Sequence, residues 1–136
     1  MTTAALPQPR ETPDNAPMLA AWRQDGRLLL QRCGSCGKQI FYPRPICPHC
    51  QSTALAWEPA SGTGTISSFS RIHRGLPPAF QAEAPIVLAE ILLAEGATMI
   101  ARVVTAEPEA IRGGQAVRLV SPDRAAPYPL PTFEPA

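Results

Sequence analysis

Four cysteines stand in two identical pairs, Cys33-Gly34-Ser35-Cys36 and Cys47-Pro48-His49-Cys50, with ten residues between them. Two residues between thiols let one tight turn aim both sulfurs at a single ion about 2.3 Å away, and two such turns complete a tetrahedron. A four-thiolate shell leaves no open coordination position. The expected Zn2+, one per chain on Cys33, Cys36, Cys47 and Cys50, therefore holds shape and does not activate water. A rubredoxin-like iron site, two local disulfides or a redox dithiol would use the same residues and remain alternatives. Gly34 and Gly37 suit the first turn, whereas Gln51 stands where a glycine would be easier in the second. His49 lies inside that second turn but is not expected to ligate, because four sulfurs already satisfy the ion.

Elsewhere the chain offers little chemistry. Its histidines are His49 and His73, its aspartates Asp14, Asp25 and Asp123, and no Gly-x-Ser-x-Gly elbow or phosphate-cradling glycine loop accompanies them. With the thiols committed to metal, no nucleophile and base remain to form a catalytic set, so no catalytic residue is expected.

The elements that must position the cysteines are short. The chain has 136 residues, of which 45% are hydrophobic and 17% charged, enough for one modest core. Its 17 prolines crowd towards both ends, which should run extended. The formal charge of +1 becomes −1 once four thiolates and a dication are counted, leaving no basic excess for phosphate binding. No apolar run reaches the roughly 20 residues of a membrane span, and the first 25 residues lack the apolar stretch of a signal peptide. A cytoplasmic protein is expected.

Residues 1–13 read as a flexible arm. Asp14 and Asn15 can cap a helix starting near Pro17, with Met18, Leu19 and Trp22 on one face and Gly26 ending it. Short strands over 27–32, 40–42 and 54–57 frame the cysteine turns and cannot hold together without a cross-link. Longer strands follow over 65–73, 86–93, 99–104 and 116–120, with a helical turn over 107–112 and an extended tail over 128–133. Residues 86–93 are apolar on both faces apart from Glu90, which marks that strand as the most buried. Three strands, a short helix, a fourth strand and an extended tail fit a small five-stranded Greek-key barrel, the OB-fold. The fold class is thus mainly β: an N-terminal arm and helix (1–26), a zinc ribbon (27–58) and an OB-fold barrel (59–136).

The strand running from Gly26 to Cys33, the double cysteine turn, Trp57, Ser61-Gly62-Thr63-Gly64-Thr65-Ile66, Arg71-Ile72-His73-Arg74, Leu88-Ala89-Glu90-Ile91, Gly113-Gly114-Gln115-Ala116-Val117 and Leu130-Pro131-Thr132-Phe133 occur in that order. In this combination the chain resembles the zinc-ribbon plus OB-fold family long catalogued as a domain of unknown function, whose members accompany thiolases, acyltransferases and acyl-CoA hydratases. The resemblance implies a non-catalytic accessory subunit. It would dock on a thiolase-like or ketosynthase-like catalytic subunit and help form its acyl-CoA channel, the partner bringing the nucleophilic cysteine.

Candidate contacts with the partner or with acyl-CoA are Arg71, His73 and Arg74 at the end of the first barrel strand and Phe80 in the loop leaving it, where arginines could meet phosphates or acids and the ring could anchor. Leu19 and Trp22 on the helix are further candidates, unless they simply cover the ribbon. Single-stranded nucleic-acid binding is the alternative that both modules allow. It expects stacking aromatics, but aromatics are only 6% of the chain and the strands between residues 65 and 104 carry only Phe69.

Overall fold

The computed structural model describes residues 6–125 and 129–136. Helix α1 (Ala16–Asp25) carries proline in its first turn and ends at Gly26, whose φ of 65° supplies the left-handed turn. A Cβ at Gly26 would sit 2.7 Å from the Pro122 ring, so close approach as well as φ requires glycine there. The expected side-chain cap is absent: Asn15 Oδ1 accepts from the Thr12 amide, and Thr12 Oγ1 from the Asn15 amide. Asn15 thus closes the turn before the helix instead of the helix itself.

Strand β1 (Leu29–Cys33) lies between β2 (Gln39–Ile40) and β3 (Leu55–Pro59) in an antiparallel sheet. Alternation along this strand does two jobs. Leu28 and Leu30 enter the barrel core, while Cys33 packs on the other side with Ile40 and Cys47. The second ribbon strand is shorter than its apolar run suggests, because Tyr42 adopts a φ of 61° and turns the chain away. Gln31, 6% exposed, receives that departing chain: its amide donates to the Arg44 carbonyl and its carbonyl accepts from the Arg44 amide, each at 2.9 Å.

Strands β4 (Thr63–Ile72), β5 (Ile86–Leu93), β6 (Thr98–Val103), β7 (Ala116–Leu119) and β8 (Thr132–Pro135) close a barrel in the order β4-β5-β6-β8-β7. Among the described residues only the β6–β8 contact is parallel, the Greek-key pattern expected of an OB-fold. Gly64 makes the β4–β5 crossing possible, since a Cβ there would lie 2.7 Å from Ile91 Cγ2 and 2.8 Å from the Leu92 carbonyl oxygen. The helical turn expected over 107–112 is a turn of 3-10 helix (Pro108–Ala110), a second one (Pro78–Glu83) interrupts the loop after β4, and a short helix α2 (Pro122–Ala125) follows β7. Of the tail expected over 128–133, Tyr128 lies outside the described residues, as do residues 1–5 of the arm.

One strand departs from expectation in a way that matters later. β5 is buried along its inner face and at the start of its outer one: Val87, Ala89, Ile91 and Leu93 point into the barrel and Ile86 is covered on the outside, whereas Glu90 and Leu92 stand exposed there. A barrel covers the inner face of its wall, and among the described residues no helix is laid over this part of the outer one.

Candidate functional site

The two cysteine turns are built alike. The Gly37 amide donates to the Cys33 carbonyl at 2.8 Å and the Gln51 amide to the Cys47 carbonyl at 2.9 Å. The residue in the fifth place is left-handed in both, Gly37 at φ 75° and Gln51 at φ 65°. Gln51 therefore holds the conformation that glycine adopts without strain. The Cys36 amide points at Cys33 Sγ (3.5 Å) and the His49 amide at Cys47 Sγ (3.4 Å), partial positive charges directed at sulfur. His49 thus contributes its backbone, and its side chain is not among the clustered ligand atoms.

All four sulfurs lie within 4.8 Å of one another, with Cys33 to Cys50 at 3.5 Å and Cys36 to Cys47 at 3.7 Å. A regular tetrahedron with arms of about 2.3 Å has edges of about 3.8 Å, so the donor set fits one structural zinc ion. The cluster polarises its own members. The Cys33 thiol falls to about 6, chiefly because the Cys36 amide stabilises its thiolate. Cys50, although the Ser52 amide lowers it, rises to about 12 through its hydrogen bond with the Cys33 sulfur and through burial. Thiolates this close do not ionise together without a cation, and a dication removes that opposition.

The other candidate residues do not form one surface. Leu19 and Trp22 are 1% and 2% exposed. Trp22 packs with Val120 and Ala125 beside the barrel, so the helix spends its apolar face on its own chain and neither side chain is available to a partner. Arg71 is likewise engaged internally. Its guanidinium donates to the carbonyls of Pro108 (2.7 Å), Glu109 (3.2 Å) and Ile111 (2.8 Å), and it lies 4.9 Å over the Phe69 ring. That covers the one aromatic of the barrel strands that could have stacked on a base.

His73 and Arg74 remain exposed on the loop after β4. Phe80, half-buried, lines a largely apolar cleft of about 320 Å³ with Ile72, Leu76, Ile86 and Leu88. Arg102 forms its polar wall and pairs with Glu83 at 2.9 Å. Sequence reasoning passed over both Arg102 and Tyr42. Nothing local marks Arg102, but the run Phe41-Tyr42-Pro43 after a cysteine turn hinted at an aromatic where the ribbon meets the barrel: the Tyr42 hydroxyl accepts the Ile100 amide of β6 at 3.1 Å. No helix among the described residues is long and apolar enough to cross a membrane.

Comparison with known proteins finds two matching domain families along the chain. Residues 23–56 match the family described as the ChsH2 rubredoxin-like zinc ribbon domain, and residues 57–121 match the ChsH2 C-terminal OB-fold domain. A probable enoyl-CoA hydratase alpha subunit of Thermomonospora curvata is 36% identical over 133 residues, covering 98% of this chain and 41% of that protein. A DUF35 domain-containing scaffold protein of Methanocaldococcus jannaschii is 37% identical over 94 residues, covering 68% of this chain and 66% of that protein. The chain thus spans less than two thirds of the length of either relative. Among solved structures, a chain of the Ltp2-ChsH2(DUF35) aldolase superposes with a TM-score of 0.79 at 35% identity, covering 94% of this chain and 98% of that one.

Proposed function

The chain belongs to the family that joins a ChsH2-type zinc ribbon to a C-terminal OB-fold, and on that premise we propose that it is a non-catalytic accessory subunit of an enzyme acting on acyl-CoA thioesters. The observation that carries this reading is its likeness, over 94% of its length, to a chain of the Ltp2-ChsH2(DUF35) aldolase. The name of scaffold protein carried by a second relative agrees with it. The chain's own chemistry supports the same division of labour, since a closed four-sulfur site binds no substrate.

In this reading the catalytic partner is thiolase-like or acyltransferase-like and supplies the nucleophilic cysteine. The hydratase name of another relative keeps the partner within CoA thioester chemistry. His73, Arg74 and the cleft beside Phe80 offer an arginine, an imidazole and an apolar wall on one loop, suited to the phosphate and pantetheine portions of acyl-CoA where they leave the partner's channel.

Purification of the tagged chain from its native cell tests this. A thiolase-like or acyltransferase-like polypeptide should accompany it in fixed stoichiometry, and a preparation without any catalytic subunit would contradict the proposal.

A further inference from the structure

The outer face of β5 and β6 carries side chains that neither the metal centre nor the Phe80 loop explains. On this face Glu90 stands opposite Ile100, and Leu92 stands opposite Thr98. Leu92 and Ile100 are therefore diagonal neighbours within side-chain reach. They are 45% and 57% exposed, and Tyr42, whose hydroxyl meets the Ile100 amide, is 48% exposed. With Ile46, these are the large hydrophobic residues that the described chain leaves in solvent. Three of the four gather at one corner between ribbon and barrel, whereas isolated exposed apolar residues would be scattered.

The charges on this face are sparse. Arg102, the basic residue of the outer row, is already held by Glu83, while Glu90 stands exposed at the centre with no ion pair among the described residues.

We propose that this face is where the chain docks on its catalytic subunit, and that the surface received is apolar with a lysine or arginine placed to meet Glu90. The proposal rests on the accessory-subunit reading and deepens it. Charge decides against a second copy of the same chain, because a two-fold contact centred here would set Glu90 against its own image. Burial of Leu92, Ile100 and Tyr42 supplies the affinity, and Glu90 selects the partner and its register. The strands bearing these residues are walls of the closed barrel, so the face is presented already shaped.

The test compares the wild-type chain with Ile100→Asp, Leu92→Arg and Glu90→Lys, measuring by calorimetry their affinity for the catalytic subunit that co-purifies with the tagged chain. Each variant should bind at least about tenfold more weakly while keeping one zinc per chain and the wild-type melting temperature. Glu90→Lys should lose more at low salt than at high salt. Undiminished affinity in all three variants overturns the docking face but leaves the functional reading standing. Failure to recover any catalytic subunit overturns both. Sedimentation of the chain alone should show a monomer, and a concentration-dependent dimer abolished by Ile100→Asp would assign the face to a second copy and overturn the proposal.

Discussion

At the scale of single residues, the metal centre is where local sequence carries most. The spacing of Cys33, Cys36, Cys47 and Cys50 specifies a tetrahedral site because a two-residue gap is a statement about one turn of backbone, independent of distant contacts. The same locality exposes its weakness: Gln51 occupies a left-handed position at φ 65°. Gln51→Gly relieves that strain and should stabilise the zinc-bound chain by about 0.5–1 kcal/mol, read as a higher chelator concentration at half release of zinc. The pH dependence of zinc binding follows from the two perturbed thiols. With Cys33 lowered to about 6, its proton competes with the metal only below that value, whereas Cys50, raised to about 12, competes throughout the neutral range. Apparent zinc affinity should therefore fall with falling pH at all accessible values, and by one further power of proton concentration below about pH 6. A titration against a chelator of known pH dependence checks the added steepness.

At the scale of elements, type was legible and coverage was not. The strands follow from β-branched and apolar runs bounded by Gly and Pro, and the glycine stop of α1 from its cap chemistry. Whether a side chain on such an element meets solvent, its own barrel or a partner depends on closure between residues far apart in sequence. Leu19 and Trp22 read equally well as a docking face until α1 is seen against the barrel. β5 read as buried on both sides until closure left Leu92 outside. Arg71 shows the same ambiguity, because an arginine beside a loop suggests phosphate recognition, yet its donors are spent on the carbonyls of residues 108, 109 and 111. It ties the single 3-10 turn that precedes β7 to the end of β4. Arg71→Ala should accordingly cost about 1–3 kcal/mol of stability, while Arg74→Ala, on the exposed loop, should change it by less than about 0.5 kcal/mol. Urea denaturation of both variants distinguishes them, and equal, negligible effects would return Arg71 to the list of contact residues.

At the scale of the whole molecule, ribbon and barrel share a core. Leu28 and Leu30 from the ribbon strand pack among Ile66, Ile91 and Phe133 of the barrel, and Tyr42 closes the seam at Ile100. The zinc site is thus a rivet on one continuous body, and the likeness to a chain of the Ltp2-ChsH2(DUF35) aldolase extends over 94% of it. No local pattern in the sequence could reveal the exposed corner at Tyr42, Leu92 and Ile100, because it exists only once the two modules are joined. The most direct measurement of the central claim is to titrate the purified chain into its separated catalytic subunit and follow turnover of an acyl-CoA thioester. Activity should rise and saturate at a fixed ratio of subunits, with none from this chain alone. Thioester turnover by the isolated chain, abolished by alkylating a cysteine, would contradict it.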